Sequence, residues 1–288
     1  MADIRPMNFG EILDGALMIY RRHFGLFLKL ALVALSVPVV LFVYVGLRAF
    51  GDLRALGDLT NALRTLLYLV PVVIVYYAAT LVLTAGTIRI ISDSYLGRDP
   101  RLHDALALGL SKILPLIAVG LGKAIVLGLI MIGAGVVVGI SGAVFKGSGV
   151  GVLLVFVLAC AALWFTIFVA CGYGVTTPVV VLEELGSSFD AFGRSWELTR
   201  DFKLKVLGLA VVAFLLCNIL PSQVLQGIAN VVMKTAPVAG IVLTVAAVIL
   251  PLILAPVIAA VITLMYYDLR VRREAFDLQV LGQRLGIV

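Results

Sequence analysis

Six runs of predominantly apolar residues, 25–47, 65–90, 113–140, 152–179, 206–232 and 239–265, constrain this chain more than any other feature. A helix rises 1.5 Å per residue, so about 20 residues cross the hydrocarbon core of a bilayer, and every run exceeds that length. The whole chain is 62% hydrophobic and 13% charged, against about 45–50% and about 25% in globular domains. Lipid must therefore be the solvent for most of it. The sequence predicts an all-α polytopic membrane protein with six transmembrane helices, forming one integral membrane domain over residues 1–288. The longest stretch between runs, 180–205, has 26 residues, too few to enclose a core of its own. Any catalysis would have to take place in or at the membrane.

Basic residues set the expected orientation. Outside the runs, fourteen Lys and Arg fall on the side shared by both termini, against Arg48, Arg54, Arg64, Lys146 and Lys234 on the other. The positive-inside rule then puts both termini in the cytoplasm. Fourteen of the sixteen acids lie on the same side, so the local charge there is near zero and no nucleic acid partner is expected. Residues 1–24 carry Asp3, Glu11 and Asp14 and lead into a run long enough to span, which argues against a cleaved signal peptide.

Each pair of runs is preceded by a short charged, amphipathic segment, at about 9–22, 101–111 and 188–200. Asp14, Asp104 and Asp190 are expected to open these helices, and they lie 90 and then 86 positions apart. In the third, Phe189, Phe192 and Trp196 share one face, while Asp190 and Arg194 stand at i,i+4 on the other. Such helices are expected to lie in the membrane interface. Two readings stand for the pattern. One is a threefold repeat of interfacial helix plus two spans; the other is convergent membrane-helix grammar, since Asp begins helices for capping reasons alone.

Candidate chemistry is sparse. Lys123 lies ten residues into the third run, with Gly120 and Gly122 beside it and no Asp or Glu within any run. Intramembrane charges commonly face protein interior or water, so Lys123 is a candidate anion site; the bland alternative is that it snorkels to the interface. With Tyr77, Asn218 and Gln223 it could line a polar cavity. Pro221 interrupts the fifth run as broken helices do at transporter sites, but every run contains proline, which favours kinked packing. Gly135 and Gly139 permit close helix approach and a homo-oligomer. Cys160, Cys171 and Cys217 show no metal or redox spacing, and neither His23 nor His103 lies in a run, so no metal or cofactor is expected. The glycines at 147, 149 and 151 lack the Lys-Ser/Thr ending of a phosphate loop. In the tail, Asp268–Arg272, Arg270–Glu274 and Arg273–Asp277 stand at i,i+4 and read as a self-neutralised helix extending the sixth run.

The two ends of the chain carry a resemblance. Residues 5–24, Arg-Pro-Met-Asn-Phe-Gly-Glu-Ile-Leu-Asp-Gly-Ala-Leu-Met-Ile-Tyr-Arg-Arg-His-Phe, resemble the opening of a prokaryotic membrane family named for the membrane domain of glycerophosphoryl diester phosphodiesterase. Residues 266–278 resemble its closing motif, with Ala275 where Gly is expected, and Ser195-Trp-Glu-Leu-Thr199 also fits. The resemblance implies a multi-pass protein of a prokaryotic inner membrane. It does not bring the hydrolase, because a barrel of that class needs roughly 200 residues or more outside the spans. The expected function is therefore a nonenzymatic membrane subunit or scaffold that holds a partner protein or organises membrane lipid at the cytoplasmic face. Asp14, Asp104, Asp190, Arg194, Trp196, Arg272 and Arg273 would supply its partner surface. The alternative is a transporter or lipid-handling protein built around Lys123.

Overall fold

The computed structural model describes residues 5–51, 59–145 and 148–274, and everything said of the structure concerns these. Arg54, Lys146 and Arg284 of the charge count, Gly147, and the Asp277 end of the Arg273–Asp277 pair lie outside them, as do residues 275–278 of the closing motif.

Helices joined by short turns and loops make up the described residues, which contain no strand. In order the helices are α1 (Phe9–Arg22), α2 (Phe24–Gly51), α3 (Leu59–Tyr95), α4 (Leu102–Ser111), α5 (Ile113–Val144), α6 (Gly149–Gly172), α7 (Thr176–Leu182), α8 (Asp190–Thr199), α9 (Lys203–Phe214), α10 (Leu220–Val232) and α11 (Pro237–Glu274). Among the described residues six segments are long and apolar enough to cross a membrane: Phe24–Val45, Leu67–Tyr95, Ile113–Val144, Gly149–Leu182, Lys203–Val232 and Pro237–Glu274. Each of the six runs read from the sequence falls on one of them. Their outer faces carry large apolar side chains such as Val37, Phe42, Leu129 and Leu252, all exposed. Water would not tolerate that surface, and a bilayer requires it.

Contacts divide the chain into two units. The first contains Asp14–Leu114 and Leu215–Ala260; the second contains Pro115–Phe214 with the described residues 5–13 and 261–274.

In the first unit α3 packs against α2 and α4. The approach to α4 depends on Gly109, where a Cβ would come 2.7 Å from the Val82 carbonyl oxygen. Pro221 explains the interruption of the fifth span. Lacking an N–H, it cannot bond the carbonyl four residues back, and the chain widens into a π turn over Leu215–Ile219 just before α10. The Ser222 hydroxyl donates to the carbonyls of Asn218 (2.6 Å) and Ile219 (3.1 Å) within this turn.

In the second unit the fourth span is not one helix over 152–179: α6 stops at Gly172 and α7 begins at Thr176. The reason is partly local, because Pro178 lacks the N–H that would bond the Gly174 carbonyl, and partly tertiary. The Gly172 carbonyl accepts the Ser195 hydroxyl of α8 (2.8 Å), with the Thr199 hydroxyl, bonded more closely to the Ser195 carbonyl, 3.2 Å away, so a helix-ending carbonyl is satisfied from outside its own helix. Gly172 also admits the Trp196 ring, because a Cβ there would lie 2.2 Å from a ring carbon.

The short segments 9–22, 101–111 and 188–200 do form helices: α1, α4 and α8. Their aspartates are not equivalent. Asp190 opens α8, Asp104 is the third residue of α4, and Asp14 is the sixth residue of α1. The start of α1 is held instead by Glu11, whose carboxylate accepts the Asn8 N–H at 2.7 Å in the manner of a capping box.

Candidate functional site

The densest chemistry of the second unit surrounds the end of α11. Along that helix Val257, Val261, Leu264, Asp268 and Val271 recur at spacings of four and three, and all are buried. Residues 263–269 are buried on every side of the helix, so Asp268 occupies a core position. Its carboxylate, 0% exposed, accepts the Met7 N–H (2.7 Å), Lys205 Nζ (2.5 Å) and Arg272 Nε (3.0 Å). Lys205 Nζ and Arg272 Nη2 also donate to the Met7 carbonyl, at 2.8 and 3.0 Å. Both polar groups of one peptide residue are thus held by a buried ion cluster, which joins the segment before α1 to α9 and α11.

A second cluster adjoins α7 and α8. Glu183, just beyond α7, accepts the Tyr266 hydroxyl (2.8 Å) and Arg194 Nε (3.0 Å). Arg194 also pairs with Glu274, which in turn accepts Arg270 Nε at 3.0 Å. Burial works against the Arg194 charge, but Glu183 and Glu274 outweigh it and hold the guanidinium above its ordinary pKa. Arg273 pairs with Asp201. Lys203 Nζ sits 3.2 Å from the Phe168 ring centre and 3.6 Å from that of Trp196, a paired cation–π contact.

These clusters correct two sequence expectations. Asp190 does not pair with Arg194; its carboxylate accepts the Ser187 N–H at 2.8 Å, and Arg194 turns to Glu183 and Glu274. Trp196 does not present a free aromatic face: it contacts Phe168, Tyr173 and Lys203 inside the unit. Arg272 and Arg273 are likewise engaged within the chain. Asp14, Asp104 and Asp190 remain exposed.

The proposed cavity residues divide between the units. Tyr77, Asn218 and Gln223 belong to the first and Lys123 to the second. Tyr77 is 46% exposed, Gln223 is exposed, and Asn218 sits half-buried in the π turn. The hydroxyls beside Tyr77 serve their own helix: Thr80 donates to the Tyr77 carbonyl and Thr84 to that of Thr80, both at 2.7 Å. Gly135 and Gly139 are exposed, and a Cβ at either would meet nothing within 4 Å.

Elsewhere in the first unit, Arg89 Nε lies 2.9 Å from one Asp93 oxygen. The other Asp93 oxygen is buried with no hydrogen-bond partner among the described residues. His23 Nε2 meets Ser94 Oγ at 3.1 Å; burial, and then the Arg22 charge, lower its pKa below 6.5. At the segment before α1, the Asn8 N–H, and then Arg5, hold the Glu11 carboxyl below its usual value. Among the described residues no three His, Cys, Asp or Glu stand together as metal ligands.

Sequence reasoning missed Glu183, Lys205, Tyr266 and the burial of Asp268. The sequence signal for Asp268 was only that an acid follows directly on an apolar run. Nothing local identified its partners, which stand 63 and 261 positions away.

Comparison with protein-family models, with curated proteins and with solved structures returned no match for this chain.

Proposed function

We propose that the chain is a nonenzymatic integral membrane subunit or scaffold of a prokaryotic inner membrane. Both termini are cytoplasmic, and the cytoplasmic face holds a partner protein or organises lipid. The observation supporting this reading is a contrast between two sets of charges. Glu183, Glu274, Asp268 and Asp201 each accept from a cation of the same chain, which makes them frame rather than reagents. Asp14, Asp104 and Asp190, on the three short helices, are exposed and are the groups this reading gives to the partner. The positive-inside asymmetry supports the orientation. The resemblance of residues 5–24 and 266–278 to a membrane module without its hydrolase supports the class. In this reading each short helix and the two spans after it form one unit of a threefold repeat.

A photo-crosslinking side chain at the exposed Gly193, where added atoms meet nothing within 4 Å, tests it in the native membrane. A single stoichiometric adduct is expected, lost when Asp14, Asp104 and Asp190 are all changed to Lys while membrane insertion is unchanged. No adduct, or one indifferent to the reversal, would reject the partner surface.

A further inference from the structure

Lys123 is an intramembrane charge of the second unit that the clusters described above leave unused. On α5 the positions Leu116, Val119, Lys123, Val126 and Ile130 recur at spacings of three and four, and all are buried or half-buried, whereas Leu121, Ile125 and Leu129 are well exposed. Lys123 therefore points to the inner side of the second unit and not to the outer apolar face. It lies ten residues into the helix, about 15 Å along its axis. Beside it the Phe192 ring lies over Gly122, where a Cβ would stand 3.0 Å from the ring, and Phe189 is the next contact at 3.4 Å.

The unit answers its other described lysines with specific partners: Lys203 lies over two aromatic rings and Lys205 bonds Asp268. Among the described residues Lys123 makes no hydrogen bond or ion pair. A membrane-depth ammonium on a protein-facing stripe pairs with an acid or a carbonyl or meets water, and no acidic residue lies on α5 to supply the first.

We propose that Lys123 binds the phosphate of an anionic phospholipid, using the half-buried inner side of α5 between Val119 and Val126 and the adjoining Phe192 as its seat. The ligand class follows from the balance of groups. One ammonium carries one positive charge and three donors, which matches the single negative charge of a phosphodiester. Inorganic phosphate, with more charge and no apolar body, would need many more donors to leave water. The walls here are apolar and aromatic, so the anion must arrive on an apolar carrier, as it does in a lipid. This site goes beyond the partner reading and does not depend on it.

The test is native mass spectrometry of the whole protein after exchange into detergent with dioleoylphosphatidylglycerol or dioleoylphosphatidylcholine. One phosphatidylglycerol per chain should be retained in preference to phosphatidylcholine. Retention should fall at least fivefold in Lys123→Met, while persisting in Lys123→Arg and in the exposed control Lys234→Met. Millimolar inorganic phosphate should not displace the lipid. Equal retention in Lys123→Met, equal retention of phosphatidylcholine, or displacement by inorganic phosphate would each overturn the proposal. Should Lys123→Met fail to fold, the wild type decides. Nitrogen-15 labelled lysine in phosphatidylglycerol bilayers should show a phosphorus contact at the signal that Lys123→Arg removes, and absence of that contact overturns the site.

Discussion

Lys205 and Asp268 are 63 positions apart in the sequence, yet Nζ of one lies 2.5 Å from a carboxylate oxygen of the other, which has no exposed surface. Asp268 also holds the Met7 N–H and Arg272, so its removal leaves two cations and a backbone donor without their shared acceptor. Breaking such a buried pair from one side costs about 3–5 kcal/mol. Asp268→Ala should therefore unfold much earlier in a denaturant titration in detergent. Asp268→Leu combined with Lys205→Met should recover part of the loss, because the unpaired, half-buried ammonium is gone. A double variant no better than Asp268→Ala would mean that the pair contributes little beyond packing.

Gly172 and Trp196 make a second test. A Cβ at 172 would stand 2.2 Å from the indole, and the ring is boxed by Phe168 and Tyr173. Gly172→Ala should destabilise by about 1–3 kcal/mol, as overpacking does. In a Trp164→Phe background it should also shift the Trp196 emission. An unshifted spectrum with unchanged stability would refute this packing.

The end of α6 depends on α8. Ser195→Ala removes the principal side-chain donor from the Gly172 carbonyl and Thr199→Val the hydroxyl that could replace it, a buried loss of about 1–3 kcal/mol. Amide exchange should rise first over residues 173–176. Exchange confined to α8 would show that the carbonyl keeps another partner.

His23 gives a pH dependence of defined sign. Burial, then the Arg22 charge, lower its folded pKa below the ordinary 6.5, so the fold prefers the neutral ring. Its contribution to stability is fully present above the unfolded value and is lost as pH falls through the folded one. In a His103→Gln background, wild type should therefore lose stability on acidification below about pH 6.5, relative to His23→Gln. Parallel curves for the two proteins would show that His23 is not desolvated.

The elements themselves were legible in the sequence. Runs of more than twenty apolar residues have one stable form in lipid, because only a helix satisfies its own backbone there. Phe9–Arg22, Leu102–Ser111 and Asp190–Thr199 also fall where short amphipathic segments were read. Asp268–Arg272 and Arg270–Glu274 were readable too, since i,i+4 neighbours meet on any helix.

Arg194 shows where local reading stops. The same i,i+4 rule offered it Asp190, but α8 packs so that Glu183 and Glu274 are nearer, and two acids in a half-buried setting outcompete one exposed acid. The interruption after Gly172 is only partly of this kind: Pro178 locally removes the bond to the Gly174 carbonyl, while the Ser195 hydroxyl of α8 takes the Gly172 carbonyl. Lys123 is like Arg194, since the sequence announced its exceptional charge and its inward direction appears only in the burial pattern of α5. Helix formation in lipid is determined by chain-local hydrogen bonding and hydropathy, so the sequence alone determined it. Which charges meet across 63 or 261 positions depends on how whole helices pack, and only the tertiary structure decided that.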